Sequence, residues 1–217
     1  MFTRPLALLS TLALIAGLAM MAACGGDDSD AAPPNTPTIT QPPTSTPVPG
    51  TQPSGIAAVD KAIAAVEAGD IDAFIDLILL APEDCVARND GLGGPPLCEP
   101  GEAPGTPVDV VPFASCEGYW SREGALSQAL RPLFDGQVRL YAVYETGGNE
   151  RLFDREGAYA VIFEVTGGPN GPQGRDVIMT DEGVVGVNFG CGQSAEQLVE
   201  FHQLTDAIVE PDDVRTQ

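Results

Sequence analysis

The side chains with chemical reach in this chain are few and scattered. Glu145 and Glu164 sit in runs of alternating apolar residues, so each can lie on a strand face beside a pocket as a general acid or base. The competing role is a charge pair across a sheet with Arg139 or Arg175. Tyr141 shares the predicted face of Glu145 and completes the set of pocket candidates. His202 is the only histidine; it falls at the edge of a Leu198/Phe201 helical stripe, a place that suits a boundary residue better than a catalytic base. Tyr119-Trp120, close to Cys116, offers an aromatic anchor for a ligand or a piece of core packing. Cys85, Cys98, Cys116 and Cys191 are separated by 12, 17 and 74 residues, which matches neither a C-x-x-C redox pair nor a zinc set. There is no G-x-S-x-G, no phosphate-binding loop and no EF-hand spacing, the acids at Asp27, Asp28 and Asp30 included. The residues therefore predict no catalytic group, cofactor or metal and leave enzymatic activity undecided, with binding favoured.

Residues 6–23 form an unbroken apolar and small-residue run behind a head carrying Arg4, and the run stops at Cys24-Gly25-Gly26-Asp27. This stretch resembles a bacterial lipoprotein signal peptide. Met21-Ala22-Ala23-Cys24 is similar to the lipobox, except that Met21 stands where Leu is commonest. The resemblance implies removal of residues 1–23, lipid on Cys24, and an extracytoplasmic place in the cell envelope, anchored to a membrane by that lipid. An uncleaved spanning helix is the alternative, but the run ends beside a cysteine rather than at a basic flank. Without Arg4 the chain carries 9 basic and 31 acidic side chains, −22. That charge repels phosphates, excluding nucleic acid as a partner, and it keeps the domain from lying on anionic headgroups.

Residues 24–53 hold eight prolines and six threonines with almost no bulky apolar group. Such a segment cannot bury enough surface to offset its ordering entropy. It is expected to be a disordered tether, extended at about 3.1 Å per residue. In an oxidising compartment the four remaining cysteines predict two disulfides. Three pairings are open; Cys85–Cys98 as a local bridge and Cys116–Cys191 as a long one is the expected set.

Residues 55–210 read as one domain and 211–217 as a frayed tail. Ser54 is placed to cap a helix carrying Ile56, Val59, Ile63 and Val66, which Gly69 ends. Asp70 caps a second helix that Pro82 stops. Residues 83–117, dense in Gly, Pro and Cys, are expected to be a covalently held loop. A third helix is expected after Ser121. Four antiparallel strands follow at 137–145, 158–166, 175–180 and 184–189, with turns at 147–149 and 181–183. Ser194-x-x-Gln197 is a capping box for a last helix.

That order predicts an α+β fold. Glu67-Ala68-Gly69-Asp70-Ile71-Asp72-Ala73-Phe74 and the 179–185 hairpin resemble the NTF2-like (cystatin-like) superfamily. The resemblance implies N-terminal helices packed on a curved antiparallel sheet, a cone with a pocket, here with an extra C-terminal helix. It also implies either a non-enzymatic binding domain or an isomerase- or cyclase-type enzyme with a pocket carboxylate. The expected function is a membrane-anchored surface lipoprotein that presents this module to a small ligand or protein partner. A structural envelope protein, dimerising through an exposed sheet face, is the third reading.

Overall fold

Apolar spacing accounts for the first element of the computed structural model, which describes residues 52–89, 93–152, 155–168 and 171–211. The leader with Cys24, nearly all of the tether, and the tail from residue 212 lie outside the described residues. In helix α1 (Ala57–Ala68), Val59, Ile63 and Val66 are buried along one stripe. Ser54 does not cap at the N-cap position, which is Ile56; its hydroxyl and its backbone N–H both donate to the Asp60 carboxylate at 2.7 Å. Gly69 ends α1 with φ 69°, a left-handed C-cap that a side chain would disfavour. Asp70 then caps α2 (Ile71–Ile75) by accepting from the Ala73 N–H at 3.0 Å.

The second helix stops at Ile75, well short of Pro82. Leu77-Ile-Leu-Leu80 has no polar residue to offer water; after a turn in which the Leu77 and Ile78 N–H groups donate to the Phe74 and Ile75 carbonyls, it lies beside the sheet, where Ile78 bridges Val184 and the Leu79 N–H donates to the Val184 carbonyl at 2.8 Å. Next come β1 (Ala81–Asp84), β2 (Pro107–Ala114) and β3 (Gly118–Arg122). A 3₁₀ turn at Glu123–Ala125 leads into α3 (Leu126–Ala129) and α4 (Arg131–Phe134). The rest is β4 (Gln137–Leu152), β5 (Arg155–Thr166), β6 (Gln173–Met179), β7 (Val184–Asn188), α5 (Ala195–Phe201) and β8 (Asp206–Val209).

The expected cone of helices on a curved antiparallel sheet is not what these elements build. The molecule is dominated by one eight-stranded mixed sheet, ordered β1-β2-β7-β6-β5-β4-β8 with β3 on β2, and its helices are short. β2 and β7 pair in parallel, which a purely antiparallel sheet does not allow. The difference arises in the segment expected to be loop. Val108, Val110, Val111 and Phe113 give β2 four buried apolar side chains, and burial outweighs the prolines. Pro107 takes the first position of the strand, where proline is tolerated. Pro112 falls between the β1 register, 107–110, and the β7 register, 113–114, where its missing N–H interrupts neither ladder. Ser121 caps nothing, because it lies within β3 opposite Val111.

The later strands follow their alternation with two departures. β4 continues through 147–149 instead of turning there, and it pairs with β5 as far as Leu152. A bulge between Leu140 and Ala142 inserts one residue, so Leu140 and Val143 share one face while Tyr141, Ala142 and Tyr144 share the other. The turn at 181–183 forms as expected, with Thr180 Oγ1 accepting from the Glu182 and Gly183 amides. So does the capping box of α5: the Gln197 N–H donates to Ser194 Oγ at 3.2 Å and the Ser194 N–H to Gln197 Oε1 at 2.9 Å. The extra C-terminal helix is thus present, and an unanticipated edge strand, β8, follows it.

Two cores result. Phe163, Val161, Val177 and Met179 meet α1, Phe74, Leu126 and Leu133 on one face; Ile162, Ile178 and Ala160 meet α5 on the other. α5 lies close because β6 offers Gly174 beneath it: a Cβ there would meet Leu198 Cδ1 at 2.6 Å and the Ala195 nitrogen at 2.8 Å. Gly174→Ala is therefore expected to destabilise by about 1–3 kcal/mol in urea denaturation. Gly168→Ala, with nothing within 4 Å, should change stability by less than about 0.5 kcal/mol. Equal effects would contradict the close docking of α5.

Candidate functional site

A loop of glycines and prolines becomes a wall here because it is pinned at several points. The disulfide Cys85–Cys98 closes it, and Cys116–Cys191 ties the β2–β3 hairpin to the turn after β7. Val86 N–H donates to the Pro96 carbonyl at 2.9 Å and Cys98 N–H to the Val86 carbonyl at 3.0 Å, a short parallel pairing across the bridge. Arg122 of β3 supplies the strongest polar tie. Its Nη1 donates to Glu102 Oε1 at 2.8 Å, and its Nη2 donates to Glu102 Oε2 at 2.6 Å and to the Leu97 carbonyl at 3.3 Å. The Glu99 N–H adds a bond to Glu102 Oε2 at 2.8 Å. Hydrogen bonding by Arg122 first, and by the Glu99 amide second, lowers the Glu102 carboxyl from 4.5 to about 2. Trp120 Nε1 donates to the Gly94 carbonyl at 2.8 Å.

Between this loop, β3 and the start of α3 lies an open groove of about 910 Å³. Its size is that of a ligand site. Leu97 is 55% exposed on the loop side and Tyr119 40% exposed on the strand side, and both line it. Tyr119 is held rigid by stacking on Phe113, ring centroids 5.4 Å apart, and its partial burial raises the phenol pKa above 10.0. Trp120 also lines the groove, with the Arg155 guanidinium 5.9 Å from its ring centroid. The one cluster with metal-ligand geometry among the described residues is Cys85, Cys98 and Glu102. Its sulfurs form the disulfide and its carboxylate is held by Arg122, so the set does not suit a metal ion.

The pocket candidates fall elsewhere. Glu145 is exposed on β4 and lines none of the three cavities described. Glu164 and Tyr141 do meet at a second cavity of about 260 Å³, beside Ser194 and Glu196 at the start of α5. There Glu164 Oε2 accepts from Arg139 Nε at 2.9 Å and lies 2.8 Å from Nη2, so it forms the charge pair rather than a poised base. The interior where a cone would be hollow is filled by Phe163, Val161 and Val177, all fully buried.

The residues not anticipated are Leu97, Glu102, Arg122 and Asp176. Asp176 of β6 is fully buried under α5, with Oδ2 3.5 Å from His202 Nε2 at the helix C-cap. It was legible as an acid directly before the apolar run Val177–Met179, but its partner lies 26 residues on. Neither side chain lines one of the three cavities, and the pair secures α5 to the sheet. Compared with known proteins, the chain matches no protein-family model and no curated protein.

Two tests follow from this geometry. A carboxyl with a lowered folded pKa contributes stability above its unfolded value and loses it as pH falls from about 4.5 through about 2. The emission of Trp120, the only tryptophan, should therefore report loosening of the loop in that range, and Glu102→Gln should remove this acid transition; an unchanged transition contradicts the role of Glu102. His202→Ala should cost about 1–3 kcal/mol in urea. Combined with Asp176→Asn it should cost less than the sum of the single changes; additive costs would show that the two do not interact.

Proposed function

We propose that the protein is a lipid-anchored surface protein of the cell envelope whose oxidised domain binds a ligand or partner in the groove between the cystine loop and β3. The observation that carries the binding role is the exposure of Leu97 and Tyr119. They are two of the three exposed large hydrophobics among the described residues, and both face one groove on walls that disulfides and the Arg122–Glu102 fork hold in place. A rigid apolar site loses little entropy on binding. The two disulfides support an oxidising, extracytoplasmic location.

The anchor reading rests on residues 6–24, and the Pro/Thr-rich stretch to residue 53 would serve as a spacer of up to about 90 Å in extended form. Among the described residues no helix is long and apolar enough to cross a membrane. In this reading lipid on Cys24 retains the protein at the membrane. The enzymatic reading is the weaker one, since Glu164 is charge-paired in a small cavity and Glu145 lies outside the cavities.

Cys24→Ser in the full chain should abolish incorporation of labelled fatty acid and release the protein from the membrane fraction. Membrane retention of that variant without lipid would contradict the anchor. For the groove, Leu97→Asp should abolish ligand capture while leaving the urea midpoint within about 0.5 kcal/mol of the parent, because this side chain is solvent-facing.

A further inference from the structure

We infer that the Cys116–Cys191 disulfide is a site of reversible thiol–disulfide exchange, selective for thiols that carry no negative charge. Neither cysteine lines the groove, so the site stands apart from it.

The two bridges of the domain differ in their surroundings. Cys85 is fully buried, and Cys98 packs with it against Val108, Val110 and Trp120 in a small core of their own. Cys116 and Cys191 are both exposed, one on the bend between β2 and β3 and the other in the turn after β7. Exchange begins when a thiolate attacks a disulfide sulfur, so a bridge at the surface admits it and one packed in a core does not.

The backbone makes a second difference. Cys191 has φ 25° and ψ 42°, between Gly190 at φ 65° and Gly192 at φ 81°. Three successive residues thus lie in the left-handed region, and the middle one carries a Cβ that disfavours it. No other half-cystine has a positive φ. Opening this bridge removes a restraint that holds Cys191 there, and strained, exposed bridges are the labile ones.

The fold also provides for closure. The Phe189 N–H donates to the Ala114 carbonyl at 2.8 Å, two residues before each cysteine, and Phe113 and Ala114 pair in parallel with Val187 and Asn188. With the bridge open, these contacts keep the two thiols neighbours, so re-closure is intramolecular. In the first step a thiolate bonds to one cysteine sulfur and the S–S electron pair leaves on the other, giving a mixed disulfide and a protein thiolate. A second thiolate then attacks the small-thiol sulfur of that mixed disulfide and releases the remaining cysteine. The cysteines gain two electrons and two protons, and the two small thiols lose them as their own disulfide. Glu117, exposed beside Cys116, and the chain charge of −21 repel an anionic thiol and admit a neutral or cationic one.

The test treats the full chain with cysteamine, a cationic thiol, alkylates free cysteines at intervals and locates the label by peptide mass. Cys116 and Cys191 should be labelled at least about tenfold faster than Cys85 and Cys98. Cystamine, the disulfide of that thiol, should then restore the bridge. Mercaptoethanesulfonate, an anionic thiol, should react at least about threefold more slowly than cysteamine in 50 mM salt, each rate being divided by that with neutral hydroxyethyl disulfide, and the deficit should shrink in 500 mM salt. Glu117→Gln, which changes only an exposed carboxylate, should also shrink it. Equal labelling of the two bridges, or opening of both in one step, would overturn the exchange site. Failure of cystamine to restore the bridge would overturn its reversibility. An anionic thiol as fast as cysteamine in low salt would overturn the charge selectivity.

Discussion

The Arg122–Glu102 fork is the contact on which the groove depends. The loop it grips has little apolar surface of its own, and its glycines and prolines would leave it many conformations. Cys85–Cys98 limits those conformations, the Val86–Leu97 pairing sets the loop's direction, and the fork fixes its distance from β3. Each tie is modest. Together they hold Leu97 on the loop wall of the groove that Tyr119 and Trp120 also line.

The rest of the fold supplies a base for that arrangement. β2 is clasped by β1, β3 and β7, so the strand that carries β3 is among the best braced in the sheet. Cys116–Cys191 adds a covalent tie between the β2–β3 hairpin and the turn after β7, worth roughly 4 kcal/mol in the chain-entropy model. The stack of Tyr119 on Phe113, and of Phe113 on Phe189, continues that bracing from the groove into the main core. On the far face, Gly174 and the Asp176–His202 contact seat α5, at a distance from the groove's chemistry.

Local signals in the sequence were reliable where short-range chemistry decides structure. Gly69, the Asp70 cap, the Ser194/Gln197 capping box, the 181–183 turn and the alternation of β5 all stand as their residue types predict. Failures came where long-range pairing overrides local pattern. Pro107 and Pro112 disguised β2, which is a strand only because β1, β3 and β7 flank it. The bulge at Tyr141 exchanged the faces of β4, and nothing in an alternating run announces one added residue. With 83–117 read as loop and a helix placed after Ser121, the sheet lost β1, β2 and β3, and a helix-on-sheet cone took its place. Of the groove, Tyr119-Trp120 was visible as an aromatic pair, whereas Arg122 and Glu102 lie 20 residues apart and meet only once the loop is closed.

The central claim is that the Arg122–Glu102 fork holds the cystine loop against β3. Hydrogen–deuterium exchange on the intact chain, parent against Glu102→Gln, addresses it directly. Faster exchange in the variant confined to residues 93–99 and 118–122 is the predicted result. Unchanged exchange there, or faster exchange spread over β4–β7, would contradict it.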